Sequence, residues 1–238
     1  MNYCGKCYDD KKHYAFFVNL TTIPSSGVGD LFQYLSPEEL EYINTIKSKK
    51  RLESFINGRI SLKIASSLFC MDRKLKDISV SNGILGQPVI TVKGRSNISG
   101  SISHCDSCAA SIVFDEELVF GIDIEDKNRD ISNILIHFAE QSEIEAVKKL
   151  DCSETLGCLI LWTSKESLSK CLKTGFTIPL EIFRIKSIEK TKDCYRVLYA
   201  NFNQFETRVY VLENNICSLT YPKKLIVSLN MDASKTNL

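Results

Sequence analysis

The chain has 238 residues, 44% of them hydrophobic, which is enough to bury the core of one large domain or two small ones. Its 30 basic and 29 acidic residues give a net charge of +1, which argues against nucleic acid as the main partner because such proteins usually present a strongly basic surface. The sequence contains no run of about 18 apolar residues and no signal-peptide pattern, so we expect a cytoplasmic protein without a membrane partner.

The first half of the chain alternates between strand and helix patterns. Residues 13–20 predict a strand. Ser36, Pro37 and Glu39 predict a helix N-terminus, because serine caps a helix, proline fits its first turn and an acid follows at the third position. A longer helix is expected over residues 51–69. Short strands separated by glycine-containing turns are predicted at residues 77–80, 89–92, 101–104 and 109–114.

The second half repeats this alternation, although the sequence shows no clear internal repeat. Residues 119–124 predict a strand, residues 131–150 predict a helix, and residues 156–173 predict a second helix that the segment 175–179 ends. The final segment, 231–238, is polar and is expected to be a frayed tail. Further strands are predicted at residues 182–188, 195–201, 207–212 and 216–221.

Asp123 and Glu125 are the first candidates for chemistry. They lie in the sequence Gly-Ile-Asp-Ile-Glu, where the side chains of a strand alternate between its two faces. The two acids therefore share one face, which we expect to be exposed to solvent, and the two isoleucines share the buried face. This pattern predicts a strand that presents two carboxylates side by side.

A second set of charges lies on the predicted helix at residues 156–173. Residues four apart lie on one side of a helix, so Trp162, Glu166 and Lys170 form a stripe, with Lys165 beside it. If this stripe faces the acids of the strand, three carboxylates and two lysines can hold a divalent cation and an anionic substrate. The alternative is a solvated ion network without a function.

Residues 100–105, Gly-Ser-Ile-Ser-His-Cys, are the third segment of interest. Their small side chains predict a short strand that presents His104 at its end. A lone histidine is more often a structural group than a ligand. This segment therefore indicates a functional site only in combination with the other two.

Ten cysteines are present, and two Cys-x-x-Cys pairs occur, at Cys4 with Cys7 and at Cys105 with Cys108. The two pairs lie too far apart in the sequence for a zinc finger or zinc ribbon. Without a signal peptide we expect reduced cysteines that act as small core residues, and no structural zinc.

Five segments follow one another in the sequence: residues 51–59 with arginine at both ends, Gly86-Gln87-Pro88, residues 100–105, residues 121–125 and residues 162–170. Their order resembles that of the 4′-phosphopantetheinyl transferases. Among these enzymes the chain is similar to the monomeric, double-length class that activates peptide, polyketide and siderophore synthetases. The resemblance runs from about Ser36 to Leu180, and the last two segments are specific in combination.

The resemblance implies an α+β fold made of two similar α/β subdomains. These are related by a pseudo-twofold axis, with the active site in the cleft between them. We expect the N-terminal subdomain at residues 1–118, the C-terminal subdomain at residues 119–230 and the polar tail at residues 231–238. Coenzyme A would then bridge the two subdomains.

The activity implied by the resemblance is transfer of the 4′-phosphopantetheine group of coenzyme A to a serine of an apo carrier protein, with release of 3′,5′-ADP. Asp123, Glu125 and Glu166 match the metal-binding acids of the family, and Mg²⁺ is the expected cation, with Mn²⁺ as an alternative. Glu166 is also the candidate general base. Lys170 would bind phosphate oxygens or the leaving 3′,5′-ADP.

Further positions match the coenzyme A contacts of the family. Gln87 stands where the family often has lysine, so one phosphate contact is weakened or Lys93 replaces it; the sequence leaves both open. His104 is counted with the catalytic residues as well. The positions expected to bind coenzyme A are Arg51, Arg59, Gln87, Pro88, Ser103, His104, Lys165 and Lys170.

The carrier protein could be a peptidyl, aryl or acyl carrier. Residues 128–150 are either a partly exposed docking surface for it or a helix packed into the core. Two other functions compete with the transferase. One is a metal-dependent phosphodiesterase or nuclease, which could use the same acids; the other is a non-catalytic coenzyme A-binding homologue.

Overall fold

The computed structural model describes residues 1–22, 28–71, 73–135, 138–229 and 231, without the side chains of Leu135 and Phe176. The chain divides into two compact units. Unit 1 comprises Met1–Leu118 with Ile226–Leu238, and unit 2 comprises Val119–Leu225. Each unit contains a five-stranded antiparallel sheet and a long helix, so the predicted α+β fold is confirmed.

The helices and strands are as follows in chain order. Unit 1 contains β1 (Asn2–Tyr8), β2 (His13–Thr22), α1 (Pro37–Ile43), α2 (Lys49–Phe69), β3 (Ile78–Asn82), β4 (Pro88–Val92), β5 (Ile98–His104) and β6 (Cys108–Asp115). Unit 2 contains β7 (Gly121–Asp126), α3 (Ser132–Leu135), α4 (Gln141–Lys148), α5 (Glu154–Cys171), β8 (Ile185–Lys190), β9 (Tyr195–Tyr199), β10 (Phe205–Val211) and β11 (Asn215–Pro222). The last strand, β12 (Ile226–Ser228), returns to unit 1. No described helix is long and apolar enough to cross a membrane.

The sheet of unit 1 has the strand order β12-β1-β2-β6-β5, and α2 packs on one of its faces. Strand β12 pairs with β1, where Lys6 lies opposite Ser228, whereas the sequence analysis grouped it with the C-terminal subdomain. Strand β1 was not predicted from the sequence, although its residues alternate between buried and exposed as a half-buried strand requires. The predicted tail lies outside the described residues from position 232 onward.

Unit 2 has the strand order β7-β11-β10-β9-β8. Helix α5 is apolar around most of its circumference in its first half, as expected for a helix enclosed by a core rather than lying on a surface. Its buried residues pack against the sheet and against α4. The core of this unit includes Phe138, Leu159, Ile160, Leu161, Leu168, Phe183, Val197, Tyr199 and Val209.

The two units share part of their topology. In both, a strand is followed by helices that end in a long one and then by antiparallel strands, the last of which pairs with that strand. In unit 1 these are β2, α1 and α2, and β3 to β6; in unit 2 they are β7, α3 to α5, and β8 to β11. Unit 1 differs in adding β1 and β12 to its sheet and in pairing β3 with β4 in a separate two-stranded sheet. The shared part confirms the prediction of two similar α/β halves, while the pseudo-twofold axis stays a prediction.

A buried ion pair in unit 1 joins α1, α2 and β3. The ammonium of Lys63 on α2 lies 2.6 Å from Oε2 of Glu39 and donates to the carbonyl of Tyr34 at 2.9 Å. Oε2 of Glu39 also accepts from the backbone N–H of Ser36 at 2.7 Å, which closes the predicted capping box. Its Oε1 accepts from the backbone N–H of Val80 at 3.2 Å.

The same arrangement recurs in unit 2, where it joins α4, α5 and β8. Lys165 on α5 donates to Oε2 of Glu143 at 2.9 Å and to the carbonyl of Phe138 at 2.7 Å. Oε2 of Glu143 also accepts from the N–H of Glu140 at 2.8 Å, and Oε1 accepts from the N–H of Ile185 at 2.7 Å. The repeat is thus visible in the hydrogen bonds although it is not visible in the sequence.

Two predicted elements differ from the structure. The single helix expected over 131–150 is wrong: α3 and α4 are separate, because Glu140 starts α4 with a capping box of its own. Residues 136–137, between them, lie outside the described residues. The strand expected from 182 begins only at Ile185, since Leu180–Phe183 forms a turn of 3₁₀ helix after Pro179. The long helices are confirmed, and they begin at the caps Ser48 and Ser153.

Candidate active site

Strand β7 places the two predicted acids on the face of its sheet that packs against α5. Asp123 lies opposite Ser218 of β11, and Glu125 lies opposite Ile216. The sequence predicted a solvent-exposed face for these acids, which is wrong, because Asp123 is only 3% exposed and Glu125 only 6%. Burial raises the free energy of an ionised carboxylate, so these acids need partners.

Glycine at position 121 brings α5 against β7. A Cβ atom at this position would overlap the carbonyl oxygen of Ser167 and the backbone nitrogen of Cys171, so any larger residue would force the strand and the helix apart. Small hydroxyl side chains fill the adjoining contact: Ser167 and Thr220 are hydrogen-bonded at 2.6 Å. This close packing places Glu166 and Lys170 beside the acids of β7.

The acids of β7 contact basic and aromatic side chains. Lys170 donates to Oδ1 of Asp123 at 2.6 Å, and the indole N–H of Trp162 donates to Oε1 of Glu125 at 3.1 Å. Arg129 forms an ion pair with the same oxygen of Glu125. The structure thus brings the strand acids and the predicted helix stripe together. Arg129 was missed, since it follows the strand in an irregular segment where no periodicity marks it.

Glu166 is the acid with the most perturbed pKa in this cluster. Burial raises its pKa to about 7, and the charges of Asp123 and Glu125 add to the rise, while Lys170 opposes it. Burial also raises the pKa of Glu125, and there Arg129 opposes the shift. Among the described residues, no donor forms a hydrogen bond with the buried Oε1 of Glu166. A proton or a cation would satisfy this oxygen.

The donor chemistry of the cluster fits a hard divalent cation. Three buried carboxylates supply the oxygen ligands that Mg²⁺ prefers, and Oε1 of Glu166 accepts no hydrogen bond from any described residue. Within the described ranges, no group of three or more His, Cys, Asp or Glu side chains is already arranged to hold a metal ion. Instead, Lys170 and Arg129 contribute the positive charge next to the acids.

Lys165 requires a correction. The sequence analysis assigned it to coenzyme A, but its side chain is fully buried and its ammonium is bonded to Glu143 and to the carbonyl of Phe138. Residues that follow one another on a helix point about 100° apart, so Lys165 lies on a different side of α5 from Glu166. We therefore assign Lys165 a structural role and leave Lys170 as the lysine beside the acids.

The predicted arginines of unit 1 both lie on α2, as expected. Arg51 lies in the first turn and is exposed. Arg59 is buried, forms a hydrogen bond with Asn82, and has its guanidinium 4.6 Å from the centroid of the Phe55 ring. Its Nε has no hydrogen-bond acceptor among the described residues, which leaves one donor of the guanidinium unsatisfied.

The other predicted contacts of unit 1 lie on two hairpins. Gln87 turns its side chain back onto its own loop, where Oε1 accepts from the N–H of Leu85 at 3.0 Å, and Pro88 begins β4. Ser103 is buried near the end of β5, and His104, the last residue of that strand, is exposed. The alternative candidate Lys93 follows β4 and is exposed.

Unit 2 matches the model of a known protein family. Residues 119–220 match the family model described as the 4′-phosphopantetheinyl transferase superfamily. This segment, which holds Asp123, Glu125 and Glu166, belongs to that superfamily, so the predicted superfamily is confirmed. The narrower class of monomeric synthetase-activating enzymes stays a prediction.

Two solved structures of holo-acyl-carrier-protein synthases are similar to part of the chain, and no curated protein matches it. The synthase from Bacillus anthracis str. Ames, in complex with CoA (3′,5′-ADP), is 22% identical with a TM-score of 0.36, over 41% of this chain and 92% of that one. The synthase from Helicobacter pylori, in complex with coenzyme A, is 23% identical with a TM-score of 0.34, over 41% of this chain and 96% of that one. At these TM-scores the likeness carries no argument of its own.

Replacing Gly121 by alanine should loosen the contact between β7 and α5. The added methyl group meets backbone atoms, which cannot move aside, so we expect a loss of about 2 kcal/mol or more in the free energy of unfolding, measured in urea. Gly29→Ala is the matched control, because no atom lies within 4 Å of its added Cβ. An equal, small effect of both changes would contradict the close packing at Gly121.

Replacing Glu166 by glutamine should flatten the pH dependence of stability in the metal-free protein. The pKa of Glu166 rises from 4.5 to about 7 on folding, so its stabilising contribution is fully present below pH 4.5 and is lost as the pH rises through 7. Relative to this variant, the wild-type protein should lose roughly 2–3 kcal/mol of unfolding free energy between pH 5 and pH 8 in EDTA. Parallel stability curves for both proteins would show that Glu166 ionises normally.

Proposed function

We propose that this chain transfers the 4′-phosphopantetheine group of coenzyme A to a serine hydroxyl of an apo carrier protein and releases 3′,5′-ADP. The observation that carries the proposal is the cluster of the buried acids Asp123, Glu125 and Glu166 with the half-buried Lys170, within a segment that matches the phosphopantetheinyl transferase superfamily. A helix can pack on a sheet through apolar side chains alone, so three buried acids next to a lysine indicate a function rather than a packing role.

Asp123, Glu125 and Glu166 would hold the divalent cation, with Mg²⁺ proposed and Mn²⁺ as the alternative. When bound, the cation supplies positive charge to the pyrophosphate oxygens, on which negative charge grows as the phosphorus–oxygen bond breaks. The raised pKa values of Glu166 and Glu125 agree with this role, because a cation would offset the cost of burying these carboxylates and the smaller repulsion between the acids.

Glu166 and Lys170 are the residues to which we assign chemical roles. The serine oxygen of the carrier attacks the phosphorus that bears the pantetheine group, and the bond from that phosphorus to the oxygen of 3′,5′-ADP breaks. We propose that Glu166 accepts the serine proton, since it is a buried carboxylate beside the other acids, and a bound cation would keep it ionised and able to accept a proton at neutral pH. The ammonium of Lys170 neutralises the phosphate oxygens or the leaving 3′,5′-ADP.

Unit 1 is proposed to bind the nucleotide part of coenzyme A through Arg51, Arg59 and His104. Arg59 supports this most directly, because its buried Nε has no acceptor in the described part of the chain and a guanidinium suits phosphate recognition. Ser103 and Pro88 are also proposed to contact coenzyme A, on the resemblance to the family alone. Gln87 is engaged in its own turn, so we propose no phosphate contact from its side chain.

The monomeric state, the cytoplasmic location and an active site between the two units remain predictions. So does the identity of the carrier, which could be a peptidyl, aryl or acyl carrier of a peptide, polyketide or fatty acid synthase. The competing nuclease and non-catalytic coenzyme A-binding functions have no specific observation in their favour.

The transfer should be visible as a gain in the intact mass of an apo carrier protein after incubation with this protein, coenzyme A and Mg²⁺. We expect the gain of one phosphopantetheine group with the wild-type protein and its loss with Asp123→Ala or Glu166→Ala. Glu145→Ala is the matched control, since this acid is exposed on α4 and should leave the transfer intact.

Other outcomes of this assay would contradict the transferase. Coenzyme A binding without a mass gain, across peptidyl, aryl and acyl carriers, would support the non-catalytic homologue. Metal-dependent cleavage of DNA or RNA, abolished by Asp123→Ala, would support the nuclease.

The carrier is expected to contact α3. Three apolar residues of the segment 128–150, Ile131, Phe138 and Val147, are buried, whereas Ile134 is 40% exposed. Ile134→Ser should raise KM for the carrier several-fold, about 1 kcal/mol, without changing KM for coenzyme A. Ile84→Ser is the control, because Ile84 is 99% exposed on the β3–β4 turn of unit 1. Equal carrier KM values for both variants would reject docking at α3.

A further inference from the structure

The buried ion pair between Lys165 and Glu143 is connected to the acid cluster through two aromatic rings. Lys165 donates to the carbonyl of Phe138 at 2.7 Å, and its ammonium lies 5.7 Å from the centroid of that ring. The Phe138 ring packs edge-on against Trp162, with 5.1 Å between centroids and 62° between planes. Trp162 then donates its indole N–H to Glu125. Continuous contacts therefore lead from the ion pair to a proposed metal ligand.

Every polar atom of this ion pair has a partner in the surrounding structure. Both carboxylate oxygens of Glu143 accept hydrogen bonds from backbone N–H groups, those of Glu140 and Ile185, and Lys165 adds its own to Oε2. A buried pair with such saturated bonding is rigid, because moving either charge would leave a buried polar group unpaired. It therefore fixes α5 relative to α4 and β8 at the residue that precedes Glu166.

We propose that Lys165 and Glu143 are positioning residues for the acid cluster: they hold Phe138, and through it Trp162, so that Glu125 keeps the orientation that cation binding needs. This proposal rests on the proposed function, since it assumes that a divalent cation binds at Asp123, Glu125 and Glu166. Mutation of side chains that orient the ligands of a metal typically lowers its affinity by about 10–100-fold.

Unit 1 supplies a matched control for this proposal. Lys63 and Glu39 form an equally buried pair, which caps the same kind of helix and holds the same kind of backbone carbonyl, that of Tyr34. A purely structural role for such pairs would make the two units respond alike. A positioning role predicts that only the pair in unit 2 affects cation binding at the acids of unit 2.

The test uses the emission of Trp162, the single tryptophan of the chain, during titration of the full-length protein with MgCl₂. The compared variants are Lys165→Met with Glu143→Gln and Lys63→Met with Glu39→Gln, which remove both charges of each pair and keep the side-chain volumes similar. We expect the first variant to shift the emission of the metal-free protein and to weaken the apparent Mg²⁺ affinity about tenfold or more, and the second to change that affinity less than about twofold.

A second variant tests the proposal in case the double variants fail to fold. Phe138→Leu keeps the carbonyl that Lys165 binds but removes the ring that packs on Trp162. It should weaken Mg²⁺ binding in the same direction. Unchanged affinity in both this variant and Lys165→Met/Glu143→Gln, or equal losses in the two ion-pair variants, would overturn the positioning role alone. Wild-type emission that does not respond to MgCl₂ would overturn the proposed cation site as well.

Discussion

The backbone contact between β7 and α5 at Gly121 is the constraint on which the site depends. The strand and the helix touch there with no side chain between them, and this distance brings Glu166 and Lys170 beside Asp123 and Glu125. On another side of α5, the ion pair of Lys165 fixes the helix against α4. The rotation and the position of α5 are thus determined by packing and by buried charge rather than by the acids themselves.

Concentrating three acids in a buried cluster is unfavourable for folding. Burial raises the pKa values of Glu166 and Glu125, and the positive charges of Lys170 and Arg129 oppose the rise only in part. Proteins retain such clusters where function requires them, because neutral side chains of similar volume would fold as well or better. The buried ion pair of unit 1 involves a single acid and a single lysine, so it satisfies its own charges. The excess of acids in unit 2 is what indicates a ligand.

The sequence predicts much of the site because the site depends on two simple patterns, the alternation of side chains along a strand and the spacing of side chains along a helix. Alternation along β7 places Asp123 and Glu125 on one face of the sheet. The separation of four residues between Trp162 and Glu166 places them on one side of α5. The sequence does not show what depends on tertiary packing: the burial of these acids, the contact with Arg129, or the inward direction of Lys165. The two helices α3 and α4 were predicted as one, because a cap made by Glu140 has no distinct sequence signal. The likeness of the two halves lies in the order of their strands and helices along the chain and in the hydrogen bonds of their buried ion pairs.

The central claim is that the acids of β7 and α5 hold a divalent cation against the pyrophosphate of coenzyme A. The most direct measurement is a crystal structure of the protein with coenzyme A and MgCl₂. The account predicts density for one cation bonded to oxygens of Asp123, Glu125 and Glu166 and to the pyrophosphate, with Lys170 turned from Asp123 toward phosphate. Coenzyme A bound with its pyrophosphate away from these acids, or a cation on other residues, would contradict it.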